Sequence, residues 1–410
     1  MPEPADIVVI GAGPAGIAAA EHLRQAGHTG PLTVLSAEEH LPYDRPPLSK
    51  DALLGDDAGT AFPLRPETFY DEHDIALRLG CAAVGLDRSG GDVELTDGGR
   101  VRADAVLLCA GGRARTVTLP GADLEGVHTL RTAEDATSIR SALQRGAPVA
   151  VVGGGFVGTE VAAAAATRGC PTTLIEAGNL PLAGALGAEV AGMLADVHRE
   201  RGVEIRTGVP VVGFAGSGGR VARVELADGT SVPAELAVVG IGMAPSHELA
   251  EQAGLVVGDG VHVDERGRTS TPGIWAAGDV AATPAPGNVR RRTEHWRAAT
   301  EQAVRVARDV LGLSPPRRAV PSFWSDQYDL CLQLAGDPGR GPDRGVRGDM
   351  AARSFSVLHH DRGLVTGITA VNRGKDVRPA TDLIRSGTRL DPGRVNDPAI
   401  PLKELARAAR

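Results

Sequence analysis

The glycines at 11, 13 and 16 are the first residues of this sequence whose types and spacing could do chemistry. They lie in Gly11-Ala12-Gly13-Pro14-Ala15-Gly16, after a short β-branched run, Asp6–Ile10, and before a helical pattern over Ile17–Gln25. In that order each glycine has its own task. Gly11 permits a tight turn, Gly13 lets a pyrophosphate approach the backbone, and Gly16 lets helix and strand pack closely. The free N–H groups of the helix N-terminus then face the anion. The arrangement returns 142 positions later as Gly153-Gly154-Gly155-Phe156-Val157-Gly158. A strand pattern, Pro148–Val152, precedes it and an Ala-rich helical pattern, Val157–Arg168, follows. Two complete fingerprints imply two dinucleotide sites in one chain.

Such units place an acid at the end of the second strand to accept from a ribose hydroxyl. After the first fingerprint the strand is Leu32–Leu35, and the acids are Glu38 and Glu39, of which we take Glu38. After the second the strand is Thr172–Ile175 and the acid is Glu176. A carboxylate there accepts from the 2′-OH of NADH and repels the 2′-phosphate of NADPH. Ala177–Leu182 contains no Arg or Lys, so NADH is the expected coenzyme.

Other strand ends carry glycine as well: Asp104–Cys109 before Ala110-Gly111-Gly112, Glu235–Val239 before Gly240-Ile241-Gly242, and Gly273–Ala277 before Gly278-Asp279. Val93–Arg102 reads as a hairpin around a D-G turn, and Val221–Val239 repeats that pattern. Between the first unit and its hairpin stands Leu41-Pro42-Tyr43-Asp44-Arg45-Pro46-Pro47-Leu48-Ser49-Lys50. Its prolines predict an extended, stiff loop rather than a helix, presenting Arg45 and Lys50. Helices are expected over Ala133–Gln144 and Ala298–Leu311. Beyond Pro315-Pro316 a tail with strands over Leu330–Ala335, Ser354–His359 and Gly367–Val371, a loop-rich gap, and a helix over Thr381–Arg385 reads as a separate α+β domain.

At 410 residues the chain exceeds one ordinary core, so two or three domains are expected. A net charge of -8 argues against a nucleic-acid partner. No apolar run approaches a membrane span, and the N-terminus reads as a strand rather than a signal peptide. Cys81, Cys109, Cys170 and Cys331 are widely spaced with no C-x-x-C, which fits a reduced, cytoplasmic setting.

These residues together resemble the FAD-dependent NADH:ferredoxin reductases, the putidaredoxin-reductase-like components of cytochrome P450 and aromatic-ring dioxygenase systems. The resemblance runs from about Asp6 to Leu402 and rests on PYDRPPLSK, GGGFVGTE, AAGDV, EHW and FWSDQYD. It implies a glutathione-reductase-type α/β fold of two Rossmann-like domains plus a C-terminal α+β domain. The FAD domain would be 1–113 with 246–318, the NAD domain 114–245, and the tail 319–410.

The resemblance also implies roles. FAD would contact Gly11, Gly13, Pro14, Ala15, Gly16, Glu38, Arg45, Lys50, Ala83, Ala110 and Gly111. It would also contact Arg131, Gly278, Asp279, Glu294, His295, Trp296 and Trp324. NAD would contact Gly153, Gly155, Phe156, Val157, Gly158, Glu160, Glu176, Gly240, Ile241 and Gly242. Lys50 and Glu160 would pair beside the reacting rings as the catalytic residues. The partner would be an iron–sulfur ferredoxin, and no nucleic acid or membrane is expected. Two features depart from the family: Ala37 stands where Asp is common, and the segment after Glu176 lacks the usual basic residue.

Three other readings share the fold. A disulfide or peroxide reductase would need a redox cysteine near position 43, where this chain has Tyr43. A monodehydroascorbate-type reductase shares the fold and is excluded by no motif. The third is an apoptosis-inducing-factor-like signalling flavoprotein, or a nucleic-acid binder through Arg290-Arg291-Arg292, which the net charge opposes; with Arg297 and Arg305 that cluster could instead form a docking patch for an acidic ferredoxin.

Overall fold

The computed structural model describes residues 4–55, 62–87, 92–285, 287 and 289–409. It divides into two units: Met1–Arg45, Thr60–Arg113 and Met243–Arg318 form the first, and Pro46–Gly59, Ala114–Gly242 and Ala319–Arg410 the second.

In the first unit Ile7–Ile10 is the central strand of a five-stranded sheet. It pairs in parallel with Leu32–Leu35 on one side and Ala105–Leu108 on the other, with Ile75–Arg78 and Ile274–Ala276 outside them. All four residues of Ile7–Ile10 are buried, as continuous apolar runs in parallel sheets require. The helix Pro14–Gln25 starts three residues earlier than its apolar pattern suggests, because Pro14 has the φ that a first helical turn needs. It packs with the helix Trp296–Val310 through Ala15, Ala19, Ala299 and Ala303.

Asp309 anchors that second helix. Its side chain is 1% exposed and accepts from Arg268 at 2.6 Å, Trp275 Nε1 at 3.0 Å and Arg266 at 3.2 Å. Burial alone would raise its carboxyl, but the hydrogen bonds from Arg268, Trp275 and Arg266 outweigh burial and hold it below its ordinary value. A carboxyl lowered in the folded state stabilises it above the unfolded pKa, about pH 4, and the gain fades as pH falls through the lower folded value. Asp309→Asn should therefore cost about 2 kcal/mol near neutrality, and thermal unfolding should show that deficit shrinking below about pH 4. A deficit independent of pH would assign the effect to shape rather than charge.

The second unit repeats the plan. Val149–Val152 lies between Thr172–Glu176 and Leu236–Val239 in a parallel five-stranded sheet, with Val203–Thr207 and Val127–Thr129 at its edges. The expected second hairpin differs in its return strand. Arg220–Leu226 pairs with Ser231–Pro233, while Leu236–Val239 crosses into the parallel sheet. All four residues of Leu236–Val239 are buried, which suits a central strand better than a hairpin arm.

The tail folds as a five-stranded antiparallel sheet. Two of its strands were not anticipated. Ser322–Gln327 holds the FWSDQ motif, and Asp343–Asp349 fills what the sequence reads as a loop-rich gap. Glycines at 345 and 348 and alternating charges hide the latter's period. The helix Ala188–Glu200 packs Val190, Leu194 and Val197 with Leu330, Leu332 and Phe355 of this sheet.

Residues 41–50 also differ from the expected extended loop. Pro46–Ser49 is a tight helical turn running into the short helix Asp51–Leu54. Prolines at the start of a turn supply φ without losing a needed donor, so Pro46-Pro47 begins helical structure here rather than preventing it.

Candidate active site

The two glycine turns are near copies in geometry. Gly11 has φ +105 and Gly153 φ +106, values that favour glycine. A Cβ on Gly11 would lie 2.3 Å from the Cys109 carbonyl oxygen, and one on Gly153 2.4 Å from that of Gly240. A Cβ on Gly16 would lie 1.8 Å from Gly11 O, and one on Gly158 2.0 Å from Gly153 O. A Cβ on Gly13 or Gly155 would meet nothing within 4 Å. The outer glycines are thus needed by the protein itself, and the middle ones face open space. Gly13 and Gly155 are the N-caps of Pro14–Gln25 and Phe156–Thr167, with no side-chain cap and no acid in the first turn. Both helices leave terminal N–H donors aimed at that space, and this fits a bound pyrophosphate.

In the first unit Gly278 closes on this turn. Its φ is +78, and a Cβ would lie 2.9 Å from Ala15 Cβ and 3.5 Å from Ala299 Cβ. Asp279 follows, and its carbonyl accepts from Arg292 at 3.2 Å. His295 caps Trp296–Val310 with no side-chain bond to the helix, and burial pushes its pKa down despite nearby Asp279. The Trp296 indole N–H donates to Asp44 at 2.6 Å. Glu38 is half-buried, whereas Glu39 is exposed. The Glu38 carboxylate accepts from the Tyr43 hydroxyl and from Arg45 at 2.7 Å. The Arg45 guanidinium also lies over the Tyr43 ring, 5.4 Å from its centre. Ala83 begins the strand Ala83–Leu86, just past Gly80 and Cys81, whose N–H groups bond Glu38 O and Ser36 O. Ala110 is exposed, and Gly111, at φ +63, accepts from Ser246 N.

In the second unit Glu176 ends its strand with both carboxylate oxygens engaged. They accept from Gly154 N at 2.7 Å and Gly178 N at 2.6 Å, which fixes the group beside the glycine turn. Gly240 N donates to Val152 O at 2.7 Å, and Gly242 has φ +102. Val157 and Ile241 are 42% and 41% exposed. Large apolar side chains left open beside an open glycine mark a surface that a ligand ring can cover. Phe156 instead turns inward, its ring 4.4 Å from that of Phe323. Arg131 and Trp324 also belong to this unit. The Arg131 N–H is taken by Asp135, part of the capping box that starts Ala133–Leu143. Trp324 is half-buried on the strand Ser322–Gln327.

Lys50 and Glu160 meet here. Lys50 Nζ lies 3.0 Å from Glu160 Oε1, with the side chains 15% and 5% exposed. Lys50 also donates to Pro46 O at 3.1 Å. Glu160 accepts from Ser49 at 2.5 Å and Ser325 at 2.6 Å. A buried carboxylate with three donors is satisfied and held in one orientation. Sequence reasoning missed Ser49 and Ser325, though both lie inside motifs it singled out. A hydroxyl in RPPLSK or FWSDQ carries no signal until folding sets it against Glu160.

The basic cluster is not a uniform exposed patch. Val289–Arg291 is a strand, and the Arg292 side chain is 5% exposed and paired with Asp259 at 3.0 Å and Glu294 at 2.7 Å. Arg290 donates to Val263 O and Arg305 to Pro316 O. Those carbonyls hold the guanidinium groups of two residues of the docking patch that the charge pattern suggests. The four cysteines are free. Burial pushes the Cys109 thiol up to about 12 and the Cys331 thiol up to about 11, and raises that of Cys170, so none of these three is a ready thiolate. Among the described residues no cluster could hold a metal and no helix is long and apolar enough to cross a membrane.

Residues 5–303 match the family model of pyridine nucleotide-disulphide oxidoreductases, and residues 322–406 match that of the reductase C-terminal domain. The chain is 39% identical to a ferredoxin–NAD(P)(+) reductase of a Sphingomonas species, covering 98% of this chain and 97% of that protein. It is 38% identical to the ferredoxin–NAD(+) reductase component of the p-cumate 2,3-dioxygenase system of Pseudomonas putida, covering 98% of each. The reductase in the covalent putidaredoxin reductase–putidaredoxin complex superposes with a TM-score of 0.94 at 34% identity, covering 98% of both chains.

Proposed function

Since the chain belongs to the pyridine nucleotide-disulphide oxidoreductases and carries their reductase C-terminal domain, we propose that it is a ferredoxin–NAD(+) reductase. It is an FAD flavoprotein that takes hydride from NADH and passes electrons singly to an iron–sulfur ferredoxin serving a cytochrome P450 or aromatic-ring dioxygenase. The carrying observation is the pair of matched glycine cradles, each with an uncapped helix N-terminus facing open space. The reading also places the protein in the cytoplasm, in keeping with its four free cysteines.

The division of labour assigns FAD to residues 1–113 and 246–318 and NADH to 114–245. The turn Gly11–Gly16, with Gly278 and Asp279 beside it, holds FAD. Glu38 and Arg45 reach its adenosine side, Ala83 its adenine, and the N-terminus of Trp296–Val310 its ring. The turn Gly153–Gly158, with Glu176 and Gly240–Gly242, holds NADH. Bound flavin supplies both hydride acceptance and one-electron donation. The chain contributes position and electrostatics. Lys50 and Glu160 stand at the nicotinamide end, where a fixed ion pair orients the reacting face. The backbone N–H groups of the helix that begins at Trp296 stabilise negative charge that develops on a ring at that terminus.

The deciding experiment is NADH-driven reduction of a candidate ferredoxin by the purified protein. A colourless protein that takes up no FAD on reconstitution sinks the reading, as does a flavoprotein that NADH cannot reduce. A flavoprotein that NADH reduces, but that passes electrons to monodehydroascorbate and to no ferredoxin, moves it to the alternative reductase of the same fold.

The Glu176 carboxylate sets coenzyme choice. It is held by Gly154 and Gly178 but keeps lone pairs for a ribose diol. Glu176→Ala should lower the NADH-over-NADPH ratio of kcat/KM by roughly ten- to a hundredfold. A wild-type protein indifferent between the two coenzymes would overturn this assignment.

A further inference from the structure

Behind Lys50 and Glu160 stands a further set of buried polar groups. Ser325, Gln327 and His198 are 0%, 1% and 2% exposed. They form a continuous line: Gln327 Nε2 lies 3.1 Å from Ser325 Oγ and 3.0 Å from Thr159 Oγ1, Gln327 Oε1 2.9 Å from His198 Nε2, and His198 Nδ1 3.0 Å from the Tyr328 hydroxyl. Its polarity can be worked out from one end. Glu160 can only accept, so the Ser325 hydroxyl donates to it. The Thr159 hydroxyl donates back to its own helix, at Gly155 O or Phe156 O. Both hydroxyls therefore need a donor from Gln327, which turns its NH₂ toward them and its carbonyl toward His198. The His198 Nε2 must then carry a proton. Burial pushes the pKa of this ring down, so it is neutral and Nδ1 accepts. Burial pushes the Tyr328 hydroxyl up to about 12, so it keeps the proton that it donates.

We infer that Ser325 and Gln327 are positioning residues, the near members of a one-way line of donors running from Tyr328 through His198 to the Glu160 carboxylate, which fixes that carboxylate and, through it, Lys50. The inference rests on the reductase reading. Dipoles aligned head to tail polarise one another, and all of them favour a carboxylate at the end they point to. The line orients and does not conduct, because an amide in its middle cannot pass on a proton without changing tautomer. Among the described residues, the charged groups that meet it stand at its ends: Lys50, from the segment after Pro46, at Glu160, and Arg201, paired with Asp329, at Tyr328. The fold commits backbone strain to it as well. Tyr328 has φ +55 in the two-residue turn between Ser322–Gln327 and Leu330–Gly336, a place usually given to Asn or Gly. That turn sets its ring edge-on to His198 at 5.2 Å, with Arg201 over its face at 4.8 Å.

The first test needs no turnover. Long-range ¹H–¹⁵N spectra of the full FAD-loaded chain should show His198 neutral, with its proton on Nε2, throughout the range in which exposed histidines titrate. A proton on Nδ1, or a ring that titrates with the exposed ones, overturns the direction of the line. The second test compares Ser325→Ala with Ser325→Thr in single-turnover flavin bleaching by NADH. Ser325→Ala should lower the limiting rate about tenfold, with FAD content and NADH affinity within twofold of the parent, and Thr should restore it. Equal rates in Ala and the parent, or failure of Thr to restore an Ala defect, overturn the positioning role. Gln327→Leu should lower the same rate and release the His198 tautomer, and serves if Ser325→Ala does not fold. A parent protein that NADH cannot bleach defeats the reductase reading while leaving the tautomer test intact.

Discussion

Gly13→Val is expected to give a folded, colourless protein, and Gly155→Val a yellow one that NADH barely reduces. The two positions are equivalent in geometry and differ only in which ligand each cradle holds. Neither glycine is needed by the chain itself. Both are helix N-caps with ordinary extended backbone, and a Cβ at either meets nothing within 4 Å. An added Cβ therefore meets no protein atom, and the side chain it carries fills the space a pyrophosphate must enter. Each lost charge-assisted bond from a helix N–H to phosphate is worth about 1.5–3 kcal/mol, so losing two weakens binding by at least about a hundredfold. FAD content by absorbance and KM for NADH are the measurements. Gly16→Ala and Gly158→Ala are the contrast. Their Cβ atoms would lie 1.8 and 2.0 Å from a carbonyl oxygen, so these variants should lose the local fold rather than one ligand. If Gly155→Val loses FAD and Gly13→Val keeps it, the assignment of the two cradles is reversed.

The sites divide by how local their signals are. Gly11–Gly16 and Gly153–Gly158 were legible because strand, turn and helix are contiguous and the outer glycines answer constraints within a few residues or one neighbouring strand. Glu176 was legible for the same reason, since its distance from the turn is set by one βα unit. The Lys50–Glu160 pair came only through resemblance. Its members are 110 positions apart, and no spacing rule joins them. The line behind it was beyond both routes. Ser325 and Gln327 alternate along one strand and so share a face, but the sequence does not say which helix that face meets. Residues 46–54 misled for a different reason. Proline forbids helix interiors but favours helix starts, and the choice between them depended on what followed Lys50. Arg292 misled because charge was read without partners. Asp259 and Glu294 neutralise it, and Asp259 is far away in sequence.

Lys50→Met and Glu160→Leu should each be worse for the fold than the two substitutions combined, while all three variants should fail with NADH. The pair is buried and satisfied, so removing one member leaves the other charge without its counter-ion, at a cost of about 3–5 kcal/mol. Removing both charges leaves apolar side chains of similar volume. Ser49 loses an acceptor but can turn its hydroxyl to Pro46 O at 3.5 Å, so of the two serines Ser325 carries the larger loss. Stability should recover most of the single-variant loss. Hydrogen exchange of the helix Phe156–Thr167 reads this locally, which suits a chain of two units better than one global transition. Flavin reduction by NADH should stay down by at least about a hundredfold in the double variant, because the oriented pair is absent whatever the fold regains. Recovery of both stability and reduction would make the pair structural only. A double variant as unstable as the singles would mean that the serines, rather than the charges, carry the cost.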